Sequence, residues 1–239
     1  MYPTDLADSQ YEVIKEFIGG HKKRKYSLKR IISGILHLCR TGAQWRPLPK
    51  EFPGWQLVYY YFNKWMKAEV CEQIQAHLRK VVRKKQGRKE CPSMAIIDSQ
   101  SMKNSEWGIP DKGFDGNKRI KGRKRHIMVD TLGILLGIIV IEANVYDSVA
   151  AWALLKHMKG KLPRLKRILA DAGYMSDELV RLTRSWLNCI FEVVKRSDER
   201  GFKVIPTKWI VERSIAWFSW YRRLSKDNEA NMDTRENWA

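Results

Sequence analysis

At 239 residues the chain is long enough for one large domain or two small ones with real cores. Its 44% hydrophobic and 30% charged residues exclude a disordered chain. Forty-five Lys and Arg against 26 acids leave a net charge of +19, which favours a polyanionic partner, nucleic acid before an anionic membrane.

From Thr4 to about Gln86 the apolar residues recur at helical spacing. Val13, Ile14, Phe17 and Ile18 form one face of a first helix; Leu28, Ile31, Ile32, Ile35 and Leu36 form a second that stops at Thr41-Gly42. A loop from Arg46 to Gly54 carries three prolines, and two further helices run from Trp55 and from Glu69 to Lys85. Residues 1–90 therefore read as an all-α domain resembling a helix-turn-helix DNA binder. The aromatics Trp55, Tyr59, Phe62 and Trp65 are read as core of that domain.

From Ser93 the period changes to that of strands. Met94–Asp98, His126–Asp130 and Leu135–Ala143 are three strands, the last two joined at Leu132-Gly133. Asp147 caps a helix, Arg167–Ala170 is a strand ending in Asp171, Ser176-Asp177 opens a helix, and Phe191–Val194 is a strand. A last helix spans Lys208–Arg223. The order suits an α/β domain over residues 91–229, a mixed sheet covered by helices. Residues 230–239 read as a polar, loose tail.

No run approaches the roughly 20 apolar residues of a membrane-spanning helix. The N-terminus has no signal-peptide core, and Cys39, Cys71, Cys91 and Cys189 form no C-x-x-C pair. The expectation is a cytoplasmic, nucleoid-associated protein with reduced thiols.

Asp98 follows Ala95-Ile96-Ile97, and Asp171 follows Ile168-Leu169-Ala170. Each buried-looking strand delivers a carboxylate at its end, and burying a carboxylate is costly unless it is paired or binds a cation. Two acids on neighbouring strand ends, with a third on a nearby helix, suit a pair of divalent ions about 4 Å apart. An Asp after a strand also serves as a turn former or N-cap. Glu212 on its own fits a surface acid paired with Lys208 one turn back.

Lys118, Arg119, Lys121, Arg123, Lys124 and Arg125 place six cations within eight positions. Read as a loop near Asp98, they would neutralise the phosphates that flank a scissile bond. Lys22-Lys23-Arg24-Lys25 and the stretch Arg79–Lys89 are further basic sets. Arg222 and Arg223 read as phosphate contacts or as partners of carboxylates.

The ordered set of motifs is more specific than any one of them. It comprises Ile97-Asp98-Ser99-Gln100-Ser101, Lys121-Gly122-Arg123-Lys124-Arg125-His126 with Val129-Asp130, Leu169-Ala170-Asp171-Ala172-Gly173-Tyr174, Val211-Glu212-Arg213 and Tyr221-Arg222-Arg223-Leu224. Over about Leu6 to Glu229 this resembles an insertion-sequence transposase of the DDE class, insertion-sequence-five group. The resemblance implies a ribonuclease-H-like domain whose catalytic, metal-holding triad is Asp98, Asp171 and Glu212. It implies Mg²⁺, with Mn²⁺ as a substitute, and no ATP. It also implies double-stranded DNA partners (terminal inverted repeats and target DNA), a homodimer on DNA, and nicking of transposon ends followed by joining of the 3′-hydroxyl to the target.

Two positions depart from the wider superfamily. Its Tyr, Arg and Lys around the Glu read here as Ile205, Lys208 and Ser219. Similar proteins continue past Glu229 with an apolar helix, where this chain has a polar tail. That tail keeps a second expectation open: a truncated, non-catalytic protein that binds terminal repeats as a repressor.

Overall fold

The computed structural model describes residues 2–19, 25–104, 110–194, 207–230 and 232–238. Lys22, Lys23, Arg24 and Ile205 lie outside the described residues. In chain order the helices are α1 (Asp8–Ile18), α2 (Leu28–Thr41), α3 (Trp55–Lys67), α4 (Val70–Lys85), α5 (Asp147–His157), α6 (Asp177–Leu187), α7 (Lys208–Phe218), α8 (Arg222–Ser225) and α9 (Met232–Trp238). The strands are β1 (Met94–Lys103), β2 (Gly113–Asp115), β3 (Ile120–Asp130), β4 (Leu135–Glu142), β5 (Arg167–Ala170) and β6 (Ile190–Val193). No helix among the described residues is long and apolar enough to cross a membrane.

The chain forms two compact units. The first comprises Met1–Leu78, Ser219–Ser225 and Trp238; the second comprises Arg79–Phe218, Lys226–Asn237 and Ala239. The first is all-α. Ser27 opens α2 by accepting the Arg30 N–H, and Gly42, at φ +71°, closes it with its own N–H on the Leu38 carbonyl. That left-handed backbone is one an L side chain adopts at a cost, which is why the helix stops there. Leu28, Ile31 and Ile32 pack with Trp65 and Val70 in the core of this unit. Of the aromatics expected in the core, Phe62 and Trp65 are buried while Tyr59 is 41% exposed.

The second unit is built on a mixed sheet in the order β2-β3-β1-β5-β6, with β4 also pairing β3. β3 runs antiparallel to β1 and β4, β5 runs parallel to β1, and β6 runs parallel to β5. This is the ribonuclease-H-like sheet that the resemblance implies. Alternation along β1 sends Ala95 and Ile97 into one core with Leu154 and Leu155 of α5 and Leu179 of α6. Ile96 goes to the other face, into a core with Leu169, Ile210 and Val211. Helices thus cover both faces, and α7 covers the face that Ile96 shares with Asp98.

The structure corrects three expectations. β1 and β3 are longer than their apolar runs, because polar residues from Ser99 to Lys103 pair with Gly122 to His126. The last long helix ends at Phe218, and α8 is a separate short helix. The C-terminal residues are not a loose tail. α9 forms, Asp227 and Arg235 are fully buried, and Trp238 is 6% exposed. Trp238 stacks on Phe62 with ring centroids 4.5 Å apart, and the Arg223 guanidinium lies 4.3 Å from its ring. An aromatic ring and a cation therefore hold Trp238 in place.

Candidate catalytic site

β1 and β5 pair in parallel with Ile96 opposite Leu169. Asp98 and Asp171 each lie two residues beyond that pair, so side-chain alternation puts both carboxylates on the α7 side of the sheet; Asp171 directly follows β5, whereas Asp98 falls in the middle of β1 and not at the strand end read from its apolar run. Asp98 is partly buried, and its Oδ1 accepts the Ser99 N–H at 2.7 Å. Burial pushes its carboxyl up to about 6, with the charge of Asp171 adding; the Ser99 N–H, Lys208 and Lys118 pull the other way. Asp171 caps a short 3₁₀ turn, Ala172–Tyr174, with Oδ1 accepting the Gly173 N–H at 3.1 Å. Its Oδ2 accepts a hydrogen bond from Lys208 Nζ at 3.0 Å.

α7 supplies that lysine. Lys208, Val211, Glu212 and Ile215 fall on one stripe by their three- and four-residue spacing, and Val211 is fully buried. Partial burial alone would lower the Lys208 ammonium pKa. The hydrogen bond and charge of Asp171, with Asp98 and Glu212 adding, leave it raised. Glu212 is exposed and acts on Lys208 from the following turn. The structure thus brings Asp98, Asp171 and Lys208 together, with Glu212 at the edge. Among the described residues no group of three or more His, Cys, Asp or Glu is placed to hold a metal ion. The donor chemistry nonetheless fits a hard divalent cation: two carboxylates on one face of the sheet with a cation, here an ammonium, already against one of them.

The basic segment is not the loop expected from its charge density. Lys118, Arg119 and Lys121 are exposed, and Lys118 Nζ donates to the Ser99 carbonyl at 3.3 Å, beside Asp98. Arg123, Lys124 and Arg125 are buried in β3. Arg123 donates to the carbonyls of Pro110 at 2.8 Å and of Glu229 and Ala230 at 3.0 Å, and pairs with Asp227. Lys124 Nζ donates to Asp147 Oδ1 at 2.8 Å, and Arg125 lies 4.2 Å from the Phe218 ring centroid. None of the three faces outward to meet a phosphate. Of the two arginines in α8, Arg222 is exposed, whereas Arg223 is buried and donates to the Ala43 carbonyl at 2.7 Å. In the stretch Arg79–Lys89, Arg79 and Arg83 are buried, and Arg83 pairs with Asp130, which also closes the β3–β4 hairpin through the N–H groups of Leu132 and Ile134.

Two features escape a reading of the sequence: the Lys208–Asp171 contact across the sheet face and the environment of Tyr174. The signal for Lys208 is its four-residue spacing from Glu212 on a helix with Val211 at its buried face. For Tyr174 it is the position, because a large aromatic three residues after a strand-end acid is a natural anchor for the turn between them.

Comparison with known proteins gives two family models. A family model described as "Transposase DDE domain" matches residues 89–230, more than half of the chain. The chain belongs to that family. A second model, described as "Putative transposase of IS4/5 family", matches residues 6–75. A relative from Burkholderia cepacia, described as "Putative transposase for insertion sequence element IS402", is 34% identical over 147 residues, which is 58% of this chain and 66% of that protein. The match therefore spans just under two thirds of that relative. Among solved structures, the chain is similar to the piggyBac transposase synaptic complex with hairpin DNA, at 12% identity and a TM-score of 0.35, covering 85% of this chain and 45% of that one. It is also similar to the Mos1 strand transfer complex, at 12% identity and a TM-score of 0.29, covering 91% and 76%. The family assignment rests on the sequence matches.

Proposed function

We propose that this chain is a DNA transposase that nicks transposon ends and joins the freed 3′-hydroxyl to target DNA by two-metal phosphoryl transfer. Asp98, Asp171 and Glu212 would hold the ions, Mg²⁺ or Mn²⁺ in its place. The observation that carries the reading is the equal two-residue offset of Asp98 and Asp171 beyond a paired register on parallel strands. When bound, the divalent ions supply an activated oxygen nucleophile and stabilise the leaving oxygen.

The chain's own residues do the rest. Asp98 is fixed within β1 by its pairing with Ile127, and Asp171 by its place directly after β5 at the cap of the Ala172–Tyr174 turn, so their carboxylates need little reorganisation. Lys208 neutralises Asp171 in the ion-free protein. Lys118 presents an exposed cation beside Asp98, and Arg119 and Lys121 are exposed further along the same segment, where a duplex phosphate backbone would approach. The partners in this reading are the terminal inverted repeats and target DNA, with a homodimer on the DNA.

The test is cleavage of labelled terminal-repeat DNA in Mg²⁺. Cutting at the ends, abolished by EDTA and by Asp98→Asn while DNA binding persists, supports the reading. Binding without cutting would favour the terminal-repeat-binding repressor, and cutting without end preference would favour a general nuclease.

A further inference from the structure

A buried polar cluster on the opposite face of β1 takes no part in the site described above. Ser99 sits directly across from His126 in the β1–β3 register. Tyr174 is fully buried, and its hydroxyl lies 2.9 Å from His126 Nδ1, with the two rings edge to face at 5.9 Å between centroids. The Ser99 side chain also acts on the same hydroxyl, opposing the rise in its pKa that burial causes. His126 is fully buried too, and its Nε2 has no hydrogen-bond partner among the described residues; the Asp147 carboxylate is 3.9 Å away.

One arrangement of protons satisfies these contacts. The Ser99 hydroxyl donates to the Tyr174 oxygen, the Tyr174 hydroxyl donates to His126 Nδ1, and the imidazole carries its N–H on Nε2, facing Asp147. Burial, with the charges of Lys124 and Lys118 adding, keeps His126 neutral, lowering it to about 3. The turn that ends in Tyr174 is seated closely as well. A Cβ at Gly173 would come within 2.9 Å of Asp147 Oδ2, so only glycine lets the backbone approach that carboxylate without a shift.

The consequence lies at the other end of the turn. Asp171 begins it and Tyr174 ends it, with the Tyr174 N–H on the Asp171 carbonyl at 3.1 Å. Ser99 is the residue after Asp98. One hydroxyl therefore joins the backbone just beyond each of the two acids. We propose that Tyr174 is a positioning residue for the Asp98–Asp171 pair, its hydroxyl clasping the turn that carries Asp171 to the strand that carries Asp98 through Ser99 and His126. This rests on the reading of those two acids as ion ligands. A hydroxyl clasp behind ligating carboxylates acts as outer-shell partners of metal ligands do, by fixing their orientation.

The test uses the full chain with Mn²⁺ alone as probe, its binding followed by electron paramagnetic resonance. Tyr174→Phe keeps the ring and removes the clasp. Mn²⁺ affinity should fall about 10- to 100-fold, affinity for terminal-repeat DNA should be unchanged, and the His126 ¹⁵N signals should change as Nδ1 loses its donor. Ser99→Ala should weaken Mn²⁺ binding in the same direction by a smaller factor, and it carries the test if Tyr174→Phe does not fold. Wild-type Mn²⁺ affinity in a folded Tyr174→Phe or Ser99→Ala protein, whether or not its melting temperature drops, overturns the proposal. Failure of the unaltered protein to bind Mn²⁺ would instead overturn the reading of the acids, and this inference with it.

Discussion

Removing the charge of Asp98 should stabilise the ion-free protein while destroying its activity. In an unfolded chain an aspartate titrates near 4, and in the folded protein burial raises Asp98 to about 6. Between those values the folded state binds more protons than the unfolded state, so stability falls as pH rises through the window and stays reduced above it. A shift of about two units corresponds to about 3 kcal/mol. Asp98→Asn keeps the shape and removes the ionisable proton, but the amide still costs something to bury, leaving about 2 kcal/mol of stabilisation near neutral pH. For a chain of this size that is a rise of roughly 4 °C in melting temperature. Thermal melting in EDTA at about pH 7.5 and about pH 4.5 measures it, with the gap between variant and parent expected to close at the lower pH. A variant that melts lower than the parent at neutral pH, or a gap that does not depend on pH, would refute the reasoning.

Four further outcomes follow from the structure. Lys208→Met removes the ammonium bonded to Asp171, and Mn²⁺ affinity measured by calorimetry should rise several-fold; a fall would mean that Lys208 supports ion binding instead of competing with it. Replacing Lys118, Arg119 and Lys121 with Ala should weaken binding to all DNA sequences and reduce the salt slope by about 0.9 for each phosphate no longer neutralised, up to about 2.7, whereas Arg123→Ala, which leaves Asp227 buried without that partner, should cost about 3–5 kcal/mol in denaturant titration. Trp238→Ala should cost about 3–5 kcal/mol, because Trp238 is buried against Phe62 and Trp45; an unchanged stability would mean that the C-terminal residues do not hold the first unit together.

The elements that can be read from the sequence are those whose pattern is local. Helices α1 to α4 and strands β4, β5 and β6 follow from apolar periodicity, and Ser176 and Gly42 mark helix boundaries by their capping chemistry. The position of Asp171 just after β5 is legible for the same reason, whereas the polar residues after Asp98 hide that β1 continues to Lys103 and leaves Asp98 in mid-strand. What is not legible depends on long-range pairing. The cations of β3 look like a solvated loop because nothing nearby in sequence shows that Asp227 and the carbonyls of Glu229 and Ala230 meet Arg123 more than a hundred positions later. The polar C-terminus hides its helix in the same way: Asp227, Arg235 and Trp238 are buried by partners remote in sequence, not by a stripe of their own. Glu212 is recognisable from its motif alone, and its exposed position on α7 is a fact of tertiary structure.

The central claim is that Asp98 and Asp171 are two ligands of one ion site. A crystal of the protein with terminal-repeat DNA and Mn²⁺, measured at the manganese absorption edge, tests it directly. The account predicts an anomalous peak about 2.2 Å from a carboxylate oxygen of each acid, with Lys208 withdrawn from Asp171. Density showing the Lys208–Asp171 contact intact and no anomalous peak between the two acids, with DNA bound, would contradict it.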